Sequence, residues 1–295
     1  MKKPQFLIAF AAFAISLLVV APGRSSALAM DPVTYQAFYD ALSPYGKWLY
    51  DVNYGYVWTP NEGNKFRPYY TNGYWAMTDA GCTWISNYPW GWAPFHYGRW
   101  VNDALYHWIW VPGNKWAPAW VVWRLNGDYV GWTPITPGTS ITAAVASTYY
   151  VPADWWVIIK KQNLLKKDFQ RNTEPAKSNN DHIRTMSVNM NKHTGEKEDE
   201  TYLSGPRAVE YSKSTGQNVK VYTISAAKNP GKAAIVSGDI SLYKPVVEGS
   251  SKGEAQPAKY VNAEHPIGKT AALSATGSVS NQPASKKATT KSKSK

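Results

Sequence analysis

Cysteine is nearly absent from this chain. Cys82 is the only one in 295 residues, so no intramolecular disulfide is available and the fold must hold without that staple. A lone Cys of this kind reads as a small buried apolar residue rather than a reactive thiol. Carboxylates are scarce as well: residues 45–134 hold five, Asp51, Glu62, Asp79, Asp103 and Asp128. Most stand beside Gly or Asn in turn-like contexts, where Asp is an ordinary turn residue. The paired carboxylates that glycoside hydrolysis needs are therefore not evident. His96, His107 and Cys82 lack a zinc-site spacing, no G-x-S-x-G elbow occurs, and no phosphate loop stands out. These absences point away from catalysis. They leave no catalytic residue, no metal ligand and no cofactor to name. Aliphatic residues are also sparse in the Trp-rich stretch, so its core has to be built from rings.

Rings are what the chain has in excess. Thirteen of the 15 Trp lie between Trp48 and Trp132, and residues 45–134 carry 26 aromatic rings. A repeat organises them. Its first copy runs from Gly46-Lys-Trp48 to Gly55-Tyr-Val-Trp58-Thr-Pro60. Its second runs from Gly73-Tyr-Trp75 to Gly81-Cys-Thr-Trp84. Its third runs from Gly98-Arg-Trp100 to Trp108-Ile-Trp110-Val-Pro112 and lacks the central Gly. Each copy predicts a β-hairpin, with short aromatic and β-branched runs broken by Asp51-Val-Asn53, Thr78-Asp79-Ala-Gly81 and, further on, Asn126-Gly127-Asp128. The last of these joins Val121–Leu125 to Tyr129–Trp132 and gives the clearest hairpin signal. Trp-x-Pro endings fit strand ends, because Pro cannot continue a central ladder.

The flanks differ in texture. Lys2 and Lys3, the apolar run Phe6–Ala21 and Ala27-Leu28-Ala29 predict a secretory signal peptide over 1–29. Residues 30–44 predict a short lead-in helix, with Asp31 as N-cap and Pro32 in the first helical position. The Trp-rich module spans 45–150 and a β-rich extension spans 151–248. Strands are expected at Trp155–Ile159, Arg184–Val188, Asn218–Ser225 and Ile240–Val247, and a short helix over 206–215. From 249 to 295 the chain is rich in Lys, Ser and Thr, a composition that predicts a disordered basic tail. Charge is segregated within the net +12: six Lys or Arg stand against eight Asp or Glu in 30–159, and 23 against 12 in 160–295. On an exported chain such a tail suits anionic polymer or lipid headgroups. Nucleic acid is disfavoured because the rings and the positive charge lie apart.

The motifs YGKW, GYVWTP, GYWAMTDAGCTW, PWGWAPFHYGRW, PAWVVWR and YVGWTP resemble exported bacterial Trp-rich proteins of the domain of unknown function 6600 family. The resemblance extends downstream to GPRAVEYSKSTGQNVKVYTI and ISLYKPVV. It implies a β-rich fold and an envelope or secreted location, and no activity. The expected architecture is mainly β: repeated Trp-rich hairpins in a compact module, a second β segment and the tail.

Two readings of the rings remain open. Each buried ring contributes about 4–6 kcal/mol gross, an upper bound against an extended chain, so many of them are explained as core. Yet a domain that small has a limited interior, so some rings are expected at the surface. Trp90 with Trp92, and Trp108 with Trp110, are read as pairs on one side of an extended segment. With His96, Tyr97, Arg99 and Trp100 they form the candidate binding face. Arg99 suits a bidentate pair with a carboxylate; alternatively it stacks on a neighbouring Trp and satisfies a turn carbonyl. The expected function is a non-catalytic envelope protein that binds or scaffolds a glycan or peptidoglycan, with an envelope protein adaptor as the alternative and an envelope hydrolase behind both. The expected location is the periplasm, the outer envelope or outside the cell, with no transmembrane span once the signal is cut.

Overall fold

The computed structural model describes residues 32–194, 201–249 and 255–268. The expected signal peptide and Asp31 lie outside the described residues. The first helix, α1 (Tyr35–Leu42), begins later than expected, because Thr34 is its N-cap and accepts from the Gln36 amide at 3.3 Å. Pro32 is not its first residue: Val33 is extended and bridges to Val247. Phe38, Tyr39 and Leu42 form its buried face.

Four antiparallel hairpins follow: β1 (Gly46–Asp51) with β2 (Gly55–Pro60), β3 (Gly73–Thr78) with β4 (Gly81–Ser86), β5 (Arg99–Asp103) with β6 (His107–Val111), and β7 (Val121–Leu125) with β8 (Tyr129–Pro134). Every one places a Trp opposite a Trp: Trp48 and Trp58, Trp75 and Trp84, Trp100 and Trp110, Trp123 and Trp132. This cross-strand pair explains the repeated glycine. A Cβ on Gly46 would meet the Trp58 ring at 2.5 Å, and one on Gly98 would meet Trp110 Nε1 at 2.8 Å; Gly73 stands in the same relation to Trp84. The Gly two residues before the first-strand Trp makes room for the ring of the second-strand Trp.

Three of the four turns share one device. Asp51 Oδ1 accepts the amides of Asn53 and Tyr54, Asp103 Oδ1 those of Leu105 and Tyr106, and Asn126 Oδ1 those of Asp128 and Tyr129. The third copy keeps the register of the first although it lacks the glycine. Asp103 pairs with His107 as Asp51 pairs with Gly55, and His107 adopts a φ of 59° where Gly55 has 72°.

Odd and even hairpins play different parts. Hairpins one and three join through Trp58 and Trp110 into one sheet. Their indole N–H groups pin the chain ahead of them. Trp48 and Trp58 donate to the carbonyls of Tyr39 and Leu42 at the end of α1, and Trp100 and Trp110 donate to those of Pro94 and Tyr97. A buried indole brings the N–H that such a contact uses, which a phenyl ring would lack. In the even hairpins Trp132 donates to Tyr69 O, while Trp75, Trp84 and Trp123 have no acceptor. Trp75 instead packs against Trp84, Trp123 and Trp132 at 4.7–5.4 Å between centroids. Phe95 touches Tyr69 and Trp84 on one side and Trp90 and Trp100 on the other, joining the two groups into one core.

The extension completes this core. Strand β9 (Val157–Lys160) pairs with β8 after a 3-10 turn at Ala153–Trp155, so the expected strand starts two residues late. Of the strand expected at Arg184–Val188, Ser187–Val188 forms and pairs with β7, while Arg184 and Thr185 end the helix Asn179–Thr185. The two later strands shrink to Ile224–Ala226 and Asp239–Leu242. The expected short helix is Ala208–Thr215, stopped by Gly216 at a φ of 72°.

The tail departs from expectation where it is described. Residues 255–268 are not disordered but form a strap over hairpins one and three; 250–254 and 269–295 lie outside the described residues. Val261–Asn262 pairs in parallel with β1, and Ile267 is buried. Composition missed this because a few apolar side chains suffice when buried acceptors wait for them. The Ile267 amide donates to Asp51 Oδ2, and His265 pairs with Asp103 Oδ2, both at 2.8 Å.

Candidate functional site

The expected aromatic face does not exist as a surface. Trp90, Trp92, His96, Tyr97, Trp100, Trp108 and Trp110 are all buried, none more than 6% exposed. Trp90 and Trp92 sit in a series of turns, not in an extended segment. The estimate of a small interior counted the module alone, whereas segments far along the chain cover its rings. Trp92 packs on Tyr243, Trp108 on Trp155, and Trp84 and Trp132 on Phe169. The Tyr97 hydroxyl donates to Pro245 O at 2.6 Å. His96 is interior too: Nδ1 donates to Ala117 O at 3.0 Å, and burial lowers its pKa to about 4. Cys82 is buried, and burial pushes its thiol pKa up.

Of the eight, Arg99 lines a cleft larger than those that Tyr97 and Trp108 line. It opens β5, next to Gly98 with a φ of 64°. Its guanidinium carbon lies 3.4 Å from the centre of the Trp120 ring, and Nη1 donates to Gly98 O at 3.0 Å. The stacking that the sequence offered as an alternative is thus observed. It still leaves a cation partly exposed at a cleft, with Nε buried and lacking an acceptor. Burial lowers the guanidinium pKa to about 10, so it stays charged at neutral pH. Trp120 is a fixed platform. Its indole donates to His96 O, its amide donates to the Tyr69 hydroxyl, and its carbonyl accepts from Ile135. Tyr69, which holds it, is itself buried at a φ of 56°.

The cleft over this pair has a volume of about 1010 Å³. Arg99, Lys115 and Lys192 give its lining positive charge, Thr139, Ser140, Thr142, Thr194 and Thr201 give it hydroxyls, and Pro112 and Ile141 give it apolar patches. Among the described residues, no Asp or Glu lines it and none forms an ion pair with Arg99. A desolvated guanidinium with no carboxylate of its own, ringed by hydroxyls, can hold a carboxylate on a hydroxyl-rich ligand. Sequence reasoning named Arg99 but missed Trp120, which belongs to no hairpin pair and so had no repeat partner to mark it. The buried carboxylates serve structure: Asp51 and Asp103 hold their turns and the strap. Among the described residues no group of three or more His, Cys, Asp or Glu is placed to hold a metal ion, and no helix is long and apolar enough to cross a membrane.

The fold and cleft define a β module of four Trp-paired hairpins that carries an indole-backed arginine, Arg99, in a cleft of about 1010 Å³. Residues 39–139, which take in all four hairpins, match the model of the Family of unknown function (DUF6600). Comparison with curated proteins and with solved structures gave no match.

Proposed function

We propose that this chain is an exported, non-catalytic protein of the bacterial envelope that binds a carboxylate-bearing glycan, peptidoglycan foremost, in the cleft over Arg99. The observation that carries this reading is the Arg99–Trp120 stack: a partly buried cation, fixed on a locked ring, facing a hydroxyl-lined cleft without an acid among its described residues. The charged N-terminus and apolar run support export, and the Lys-rich C-terminus adds attraction to an anionic polymer that salt weakens. Recognition rests on one cation and a ring of hydroxyls in place of exposed rings.

Intrinsic Trp fluorescence provides the test, because Trp120 lies directly beneath Arg99. Titration with a soluble peptidoglycan disaccharide-peptide is expected to give a saturable change that survives high salt. The change should vanish in Arg99→Ala and with the same fragment after its carboxyls are amidated. A response that is absent, or indifferent to Arg99→Ala, would overturn the reading.

A further inference from the structure

A second cavity of about 570 Å³ adjoins the Arg99 cleft, and the two share Asn114 and Lys115 in their walls. It repeats the chemistry of the first. Lys244 Nζ lies 3.9 Å from the centre of the Trp116 ring, as the Arg99 guanidinium lies over Trp120. Trp116 and Trp120 come from the same loop between β6 and β7, four residues apart. That loop is anchored to the core at two points: the Ala117 amide donates to His96 O at 2.9 Å, and the Trp120 indole donates to the same carbonyl at 3.1 Å. His96 also stacks on Trp116 with its plane 11° away. One buried histidine therefore sets the positions of both rings.

Lys244 is partly withdrawn from water and its pKa is lowered by that burial, with Asp79 opposing the shift. Asp79 is the one acid on this second lining, and its Oδ1 accepts from the Ile224 amide at 3.3 Å. The described residues give Lys244 no ion pair within 4.0 Å. Two ammonium or guanidinium groups, each lying on a Trp from one short rigid loop, form a pattern that a single small anion does not use.

We propose that the two cavities are one groove with two successive subsites, Arg99 on Trp120 and Lys244 on Trp116, which take two anionic groups along an extended carboxylate-bearing polymer. This rests on the glycan reading of the Arg99 cleft and adds its length requirement. A ligand with one carboxylated repeat fills the first subsite alone; a ligand with two repeats spans both.

Calorimetry on the purified protein tests this, with a monomeric peptidoglycan disaccharide-peptide and its two-repeat counterpart as probes. The two-repeat probe is expected to bind at least tenfold more tightly than the monomer. Lys244→Ala should remove that gain while changing monomer affinity less than twofold, and Lys244→Arg should restore it. Near-UV circular dichroism, dominated here by Trp, verifies that each variant keeps its packing. Equal affinity for the two probes, or a two-repeat affinity untouched by Lys244→Ala, overturns the second subsite and leaves the first standing. Absence of binding by either probe, or monomer affinity unchanged in Arg99→Ala, overturns the cleft reading and the two-subsite groove together.

Discussion

Asp51 and Asp103 occupy the same corner of hairpins one and three and divide their carboxylates in the same way. In each, Oδ1 accepts two amides of its own turn, while Oδ2 holds the C-terminal strap. Asp51→Asn keeps an oxygen for the turn but turns an amide donor toward the Ile267 N–H. It is expected to cost about 1–3 kcal/mol, the range for a buried polar group left unmatched. In a chain ending at residue 254 the same substitution should cost far less, because the strap amide is gone. Urea denaturation of the four proteins measures this coupling; equal costs in both lengths would show that Asp51 does not hold the strap. The shortened chain itself should be less stable by at least about 2 kcal/mol, from the lost burial of Ile267, whereas a chain ending at 268 should match the full one.

The repeated glycine makes room for a ring. Gly73→Ala forces a Cβ into Trp84 and the Ile85 carbonyl, while Gly127 has no atom within 4 Å of its Cβ position. Gly73→Ala should lower stability by about 1–3 kcal/mol, as overpacking does, and Gly127→Ala should stay within about 0.5 kcal/mol of the parent. Thermal and denaturant midpoints of the two variants decide this; similar behaviour would remove the steric account of the repeat.

His107 carries the left-handed backbone that Gly55 carries in the first copy, and its side chain is exposed. A β-carbon in that conformation costs about 1–2 kcal/mol, partly offset by the extra freedom glycine has when unfolded. His107→Gly is therefore expected to stabilise the protein by about 0.5–1 kcal/mol, and His107→Val to destabilise it. A His107→Gly variant less stable than the parent in urea would assign the histidine a role beyond its turn.

His96 gives the fold a pH dependence of known sign. Burial lowers its pKa to about 4 from an ordinary value of 6.5, so the unfolded chain binds its proton first. Its contribution is complete above pH 6.5 and is lost as pH falls toward 4, by about 3 kcal/mol in all. Denaturation midpoints of the parent and of His96→Gln, measured from pH 7.5 to 4.5, should converge as the pH falls. Parallel curves would mean that His96 titrates alike in both states.

Much of the module was legible in its residues, and the reason is local. Gly-x-Trp, the Asp- and Asn-led turns and Trp-x-Pro endings act within a single hairpin, so their spacing predicts the hairpins, and the registers follow in the structure. Exposure was not legible, because the atoms that cover Trp92, Trp108 and Trp132 belong to Tyr243, Trp155 and Phe169, which no periodicity ties to them. The candidate site followed the same division. Arg99 stood out for its place in HYGRW, but the ring beneath it comes from a loop outside the repeat. Lys244 lies more than a hundred residues beyond the Trp116 it covers. The strap was hidden by its composition: its Val261 and Ile267 sit among Ala, Asn, Glu and Pro, and the carboxylates that hold it, Asp51 and Asp103, lie far upstream.

The pairing of Val261–Asn262 with Leu49–Tyr50 also sets an order of events in time. The first strand to emerge, from a ribosome or from a membrane channel, keeps one edge open until nearly the whole chain has followed. Throughout that interval its bare amides and carbonyls can recruit a strand from any neighbouring copy. Closure of the β1 edge is thereby tied to the arrival of Val261 and Asn262. A copy halted or clipped short of the strap keeps that edge of β1 unpaired and open to a foreign strand.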